Sequence, residues 1–226
     1  MGEYYNWINV DKKEFLSPVD FDYGSKQWES LGKKNEMLSA LYELLDSDWK
    51  GDHVIWLGDE KSVPEDSCNA ALKILYNQSV EYGLPGGGFD TVYDTYHNIS
   101  GLFKVTEEQV KKEIHIFLEE RMHPTLFDYN NEYRIDPDNP YKGLFQREGK
   151  RFKYIINETK RVCYSPDSTV FYDERGYEHP YSDPFPLLMR FGRVKEPGIW
   201  LGDIIHVSDD YDDRIYSYLD RVLFDW

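Results

Sequence analysis

The sequence predicts a single compact α+β domain, residues 1–226, with a mainly antiparallel sheet built from two repeated β-rich units. Three observations predict this class: a motif pair occurs twice, strand and helix patterns do not alternate regularly, and aromatic residues are frequent. Regular alternation would favour a doubly wound parallel sheet instead. Aromatic residues form 16% of the chain, far more than disordered chains carry. We therefore expect a folded protein with an aromatic core.

The repeat consists of two motifs that occur in the same order near each end of the chain. The first reads I-N-x-x-K-[KR] followed by S-P, and it spans residues 8–18 and 156–166. The second reads W-x-G-D-x-[VI], and it begins at Trp49 and at Trp200. Because two motifs recur in one order, the sequence predicts an internal duplication.

The predicted copies extend over residues 1–60 and 152–226, and residues 61–151 form a helical insert with a glycine-rich loop. The duplicated unit resembles one in a group of uncharacterised bacterial and phage proteins, and its motifs cover about a quarter of the chain. The resemblance implies a bacterial or phage cytoplasmic origin. It assigns no activity to any residue.

The first copy begins with strand signals and then changes to a helix. Residues 4–16 alternate loosely between apolar and polar types around a charged turn, which predicts two short strands. Asn35 is a suitable N-cap for a helix with an apolar stripe, which ends before residues 46–48. Residues 49–57 then read as a turn that leads into a buried strand.

The insert carries two helix-start patterns around a glycine-rich stretch. A capping box at residues 62–65 predicts a helix that Gly83 ends, and a second box at residues 106–109 predicts a helix ending before Pro124. Residues 84–89 read as a loop or lid rather than a phosphate site, because the glycines follow a helix and no Lys-Ser or Lys-Thr comes after them. The candidate lid residues are Gly86, Gly87 and Gly88.

The second copy repeats the strands and then departs from the first. We expect strands at residues 152–156 and 162–164, and the prolines exclude a helix across residues 178–186. Apolar residues at helical spacing across residues 215–223 predict an amphipathic C-terminal helix. The aspartates just before them would lie at its N-terminus, where the helix dipole favours negative charge.

Charge decides which classes of partner are expected. The formal net charge is −16, which opposes direct nucleic-acid binding, since that binding depends on Lys and Arg neutralising phosphates. Such acidity either keeps the protein soluble or steers it toward a basic protein partner. Cys68 and Cys163 are predicted on a helix and a strand, with no disulfide or zinc pattern. Since no signal-peptide or membrane-length apolar run is present, we expect a cytoplasmic protein without membrane contact.

The acidic run near the C-terminus is the candidate partner-binding surface. It combines carboxylates with tyrosines, which serve as rigid aromatic anchors in interfaces. The contiguous carboxylates lack the alternating spacing of a calcium loop, so a solvated helix start is the preferred interpretation and a surface for a basic protein is the preferred specific role. The candidate residues are Asp209, Asp210, Tyr211, Asp212 and Asp213.

The repeated W-x-G-D turn has a structural and a functional interpretation. In the structural one, glycine supplies an unusual backbone conformation, aspartate bonds its own turn and tryptophan fills the core. In the functional one, the two aspartates face each other and share a proton or hold a metal. We favour the structural one for Trp49, Gly51, Asp52, Trp200, Gly202 and Asp203.

One further metal site is conceivable in the insert. His115, Glu119 and His123 are four residues apart and would share one face of a continuous helix. An exposed polar helix face is the preferred interpretation, because the helix should fray before Pro124.

These observations lead to three hypotheses on function. The first is a non-enzymatic acidic binder that needs no cofactor and neutralises or regulates a basic protein, as immunity proteins and phage inhibitors do. The second is a metal-dependent hydrolase that uses Asp52, Asp203 and a histidine. The third is a small-ligand sensor with residues 84–89 as its lid.

Overall fold

Mixed β-sheets and short helices form an α+β fold, which confirms the predicted class. The computed structural model describes residues 2–21, 24–33, 35–103, 150–173, 175–193 and 196–223. The elements up to residue 103 are β1 (Tyr5–Asn9), β2 (Glu14–Leu16), α1 (Glu36–Asp46), β3 (Val54–Gly58), α2 (Ala70–Tyr82), α3 (Gly88–Thr95) and β4 (His97–Asn98). The later elements are β5 (Tyr154–Asn157), β6 (Val162–Tyr164), β7 (Val170–Tyr172), α4 (Phe185–Leu188), β8 (Arg190–Phe191), β9 (Ile205–Ser208), β10 (Ser217–Tyr218) and β11 (Arg221–Leu223).

The first sheet has the strand order β4-β2-β1-β3-β8, the second has the order β10-β6-β5-β9, and β11 pairs with β7 separately. The central pairs β1–β2, β1–β3, β5–β6 and β5–β9 are antiparallel. The outer pairs β2–β4, β3–β8, β6–β10 and β7–β11 are parallel. The sheets are therefore mixed rather than purely antiparallel, because the outer strands arrive after long connections that permit either direction.

The two larger sheets repeat each other in register. Trp7 pairs with Leu16 as Ile155 pairs with Tyr164. Asn9 pairs with Val54 in the first sheet, and Asn157 pairs with Ile205 at the same position of the second sheet. The outer parallel strands match as well: the amide of His97 donates to the carbonyl of Lys13 at 2.8 Å, and the amide of Ser217 donates to that of Arg161 at 3.0 Å. Strands β4-β2-β1-β3 thus correspond to β10-β6-β5-β9.

A shared apolar core lies between the two sheets and α1. The side chain of Asn35 accepts hydrogen bonds from the amides of Met37 and Leu38, which confirms the predicted N-cap. The buried face of α1 then packs with residues of both copies, among them Trp7, Trp49, Trp56, Ile155, Trp200 and Val207. The core therefore joins the two copies.

The face of each sheet that points away from this core is called its outer face here. On the first sheet the outer face packs under α2 and α3 in a second apolar cluster. Its sheet residues are Ile8, Val10, Phe15, Ile55 and Leu57, and its helix residues include Ala71, Leu72, Leu75 and Val92. The insert thus supplies the cover of the first sheet.

The predicted C-terminal helix is wrong. The chain forms a turn over residues 209–216 and then the strands β10 and β11. Strand β10 pairs with β6, and β11 pairs with β7, burying Val222 between two exposed neighbours. Tertiary pairing has overridden an apolar spacing that fits a helix equally well.

The helix predicted from the box at residues 62–65 starts later than expected. It begins at Ala70 with Asn69 as N-cap, so Cys68 precedes it; Gly83 ends it with a left-handed φ of 91°, as predicted. The amide of Val63 bonds instead to the carbonyl of Gly86 at 2.9 Å. That contact holds Val63 outside the helix.

Helices α3 and α4 also differ from the sequence analysis. Helix α4 begins inside the stretch 178–186, with Pro186 in its first turn, where proline is tolerated. Helix α3 was not predicted at all, because it directly follows the glycines. The helix expected from residues 106–109 to Pro124 lies outside the described residues.

Candidate functional site

The repeated W-x-G-D turns have the same backbone in both copies. Gly51 and Gly202 have left-handed φ angles of 84° and 80°, which residues with a Cβ adopt only under strain. The amide of Asp52 donates to the carbonyl of Trp49 at 3.1 Å. The amide of Asp203 donates to that of Trp200 at 2.9 Å. The glycine requirement in the motif is therefore conformational.

Each turn aspartate is bound by the other motif of its own copy. In the first copy, the side-chain amide of Asn9 donates to Asp52 Oδ2 at 2.8 Å, and Lys12 Nζ lies 3.5 Å from the same oxygen. Asn9 Oδ1 also accepts from the amide of Lys12 at 3.0 Å, so it closes the β1–β2 turn. Asn9, Lys12 and Asp52 are called the first clamp here.

The second clamp, formed by Asn157, Lys160 and Asp203, is tighter. Asn157 donates to Asp203 Oδ2 at 2.8 Å, and Lys160 Nζ lies 2.6 Å from that oxygen. The Asp203 side chain is 9% exposed, against 22% for Asp52. The two motifs are thus the two halves of one structural device. The sequence interpretation missed the Asn and Lys partners, although both are letters of the first motif.

The clamp geometry bears on the metal hypothesis. Each aspartate uses its Oδ2 atom within its own copy, which supports the structural interpretation of the turn. Among the residues that the structure describes, no three His, Cys, Asp or Glu side chains group so that they could hold a metal ion. The predicted triad His115, Glu119 and His123 lies outside them. The hydrolase hypothesis stays a prediction.

The candidate partner surface lies in the turn of residues 209–216, called the acidic segment here. The Arg214 guanidinium binds Asp212 through Nε at 2.9 Å and Nη2 at 2.7 Å, which neutralises one carboxylate. Asp209 and Asp213 are exposed and form no ion pair with any other described residue. The segment therefore keeps a local negative charge.

Tyrosine rings fix the acidic segment to the second sheet. The Tyr211 ring meets the edge of Tyr154 at a centroid distance of 4.7 Å and stacks on Tyr218 at 6.1 Å. The Tyr216 hydroxyl donates to Glu158 Oε2 at 2.6 Å. This hydrogen bond, together with burial, raises the pKa of Tyr216 to about 12. The hydroxyl therefore remains a donor throughout the physiological pH range.

The outer face beneath the segment differs in chemistry from that of the first sheet. By strand register, the apolar residues of the first sheet correspond to more polar residues in the second. The positions of Ile8, Val10, Phe15, Ile55 and Leu57 are taken by Ile156, Glu158, Cys163, His206 and Ser208. One copy keeps an apolar face under helices, while the other has a polar face under a short turn.

A histidine–carboxylate pair lies on this polar face. His206 Nδ1 is 3.0 Å from Glu158 Oε1, and Glu158 Oε2 accepts from Tyr216. Burial lowers the pKa of His206 and outweighs the opposing effect of Glu158. The imidazole is therefore neutral at pH 7, and with its Nδ1–H directed at Glu158 it leaves Nε2 as an acceptor.

The glycine-rich stretch forms the tight turn between α2 and α3. Gly86 has a φ of 80°, and its amide donates to Ser79 Oγ at 3.0 Å. A Cβ on Gly88 would lie 2.5 Å from Val63, so α3 can approach only because that residue is glycine. Gly87 is the N-cap of α3. The glycines thus have a packing role, and the ligand-sensor hypothesis stays a prediction.

Comparison of the chain with protein-family models, with curated proteins and with solved structures found no match. The resemblance to bacterial and phage proteins with the duplicated unit stays a prediction. Among the described residues, no helix has the length and apolar character needed to cross a membrane.

Proposed function

We propose that the protein is an acidic binding module that docks a basic protein partner on residues 209–218 and so neutralises or regulates it. The observation that carries the proposal is the combination of exposed carboxylates and exposed apolar groups on one braced segment. Asp209, Asp210 and Asp213 are exposed, and Ile215 and Tyr218 in the same stretch are 51% and 37% exposed. Aromatic anchors next to charge are typical of interface centres.

Bracing of the segment supports the proposal energetically. Ordering a loop on binding costs free energy, and a surface already held in place avoids that cost. Tyr211 and Tyr216 hold the segment before any partner arrives. The net charge of −16 adds long-range attraction for a cationic protein.

A cation already lies against an aromatic ring beside this surface. The Lys153 ammonium is 5.0 Å from the ring centroid of Tyr154, the ring that Tyr211 of the acidic segment meets edge-on. Arginine side chains make the same contact with tyrosine faces. Since a guanidinium also binds a carboxylate through two hydrogen bonds, we expect a partner with clustered arginines to fit the segment better than one with isolated lysines.

Binding of a deca-arginine peptide tests the proposal. We expect binding that weakens as ionic strength rises, because exposed charge pairs are screened by salt. The triple variant Asp209→Asn, Asp210→Asn and Asp213→Asn should bind about tenfold more weakly, since each exposed charge contributes roughly half a kcal/mol. Isothermal titration calorimetry at low and at physiological ionic strength measures both effects.

A matched control separates the segment from net charge. Glu65, Glu81 and Asp90 are exposed carboxylates on the other half of the molecule, and changing them to amides removes the same total charge. This control should bind the peptide nearly as wild type does. Equal weakening in both triple variants, or no binding by wild type, would contradict the proposed surface.

A further inference from the structure

The outer face of the second sheet is buried at its centre. Ile156 and Cys163 are 1% and 0% exposed there, yet neither belongs to either of the apolar clusters that the described residues form. Strand β10, which continues the acidic segment, pairs Tyr218 with Cys163. The Tyr211 ring contacts Tyr154 of β5 and Tyr218 of β10, and β6 lies between those two strands. The segment therefore lies over Cys163 and covers the centre of this face.

Among the described residues, one hydrogen bond between side chains, from Tyr216 to Glu158, ties residues 209–216 to the sheet beneath them. The Glu158 carboxylate contacts two different elements. Its Oε2 atom accepts a hydrogen bond from the Tyr216 hydroxyl of the acidic segment, and its Oε1 atom lies 3.0 Å from His206 Nδ1 of β9. In the first copy, Val10 occupies the corresponding position and packs under the insert helices. A carboxylate at this position is thus a feature of the second copy and is not required to form the sheet.

Several groups act on the protonation of His206. Burial lowers its pKa most, Glu158 and Asp46 raise it, and Lys50 lowers it, so that the net pKa is lowered. Lys150 Nζ forms an ion pair with Asp46 Oδ2 at 3.3 Å. Glu158 thus faces a neutral histidine and a phenol, so both of its oxygens engage neutral partners.

We propose that Glu158 is the positioning residue of the docking surface: it joins Tyr216 to His206 and so fixes the acidic segment over the second sheet. This inference rests on the proposed function, because it assigns the residue that orders the carboxylates for a basic partner. Glu158 itself contacts no partner in this scheme. It acts through Tyr216.

The reactivity of Cys163 reports whether the segment is closed. The chain has two cysteines, so Cys68→Ser leaves Cys163 as the single thiol. In this background Tyr216→Phe keeps the ring and the charge but removes the hydrogen bond to Glu158. We expect Cys163 to react with Ellman's reagent about tenfold faster. The reason is that losing one hydrogen bond to a charged group makes local opening of the segment about that much more favourable. Glu158→Gln should act in the same direction.

Tyr172→Phe is the matched control, because the Tyr172 hydroxyl makes a similar exposed bond to Glu178 at 2.8 Å elsewhere. It should leave the Cys163 rate unchanged. Tyr216→Phe should also weaken deca-arginine binding about threefold, since the segment must then be ordered on binding.

The two measurements fail separately. An unchanged Cys163 rate in Tyr216→Phe would overturn the inference whatever the peptide does. Faster labelling with unchanged peptide affinity would overturn the positioning role of Glu158. Faster labelling in a protein that does not bind the peptide at all would overturn the proposed function and leave the closing contact intact. Thermal melting of each variant confirms that only local structure has changed.

Discussion

Replacing Asp183 with alanine should lower the free energy of unfolding by about 4 kcal/mol, because three buried donors would lose their acceptor. Asp183 is 1% exposed. Its carboxylate accepts from the hydroxyls of Tyr42 and Tyr164, each at 2.6 Å, and from the amide of Phe185 at 3.0 Å. Tyr42 belongs to α1 and Tyr164 to β6, so this carboxylate joins the two copies inside their shared core.

Urea unfolding measures this loss, and two variants control for it. Asp183→Asn keeps one acceptor oxygen and should lower the free energy of unfolding less than Asp183→Ala does. Burial also raises the pKa of Asp183, which means that the site favours a neutral side chain. Asp213→Ala, at an exposed position, should change the unfolding free energy by no more than about 0.5 kcal/mol. A loss below about 1 kcal/mol in Asp183→Ala would show that the tyrosine pair does not join the copies.

The second large effect concerns the two clamps, which should differ in strength. Asp203→Ala should destabilise the protein by about 3 kcal/mol, because it removes a nearly buried carboxylate and leaves the side-chain amide of Asn157 unpaired at 0% exposure. Asp52→Ala should cost about 1 kcal/mol, since Asp52 is more exposed and Lys12 lies farther away.

The same unfolding experiment compares the two clamp variants. Asn in place of either aspartate keeps an acceptor for the neighbouring amide and should recover part of the loss. A larger loss of unfolding free energy in Asp52→Ala than in Asp203→Ala would contradict this account, because it would show that burial of the aspartate does not decide how much each clamp stabilises the protein.

Local chemistry made part of the fold predictable. The N-cap Asn35, the C-cap Gly83 and the strand after Trp49 depend on nearby residues, and all three were read correctly. The start of α2 was missed because Val63 bonds to Gly86, more than twenty residues away. The C-terminal strands were missed because their apolar spacing also fits a helix, and only pairing with β6 and β7 decides between them.

Long-range polar contacts explain what was missed in the candidate site. Tyr42 and Asp183 are 141 residues apart, and no local pattern joins them. Glu158 was overlooked because it lies in an unremarkable turn within the motif. A position-by-position comparison of the two copies would have found it, since Val10 and Ile55 in one copy become Glu158 and His206 in the other.

The central claim is that a basic partner docks on residues 209–218, which lie over the polar outer face of the second sheet. Amide chemical shifts of the isotope-labelled protein during titration with deca-arginine test it most directly. We predict the largest shift changes at residues 209–218, and small ones on α2 and α3, which cover the first sheet. Changes that are largest on α2 and α3, or spread evenly over the acidic surface, would contradict the claim.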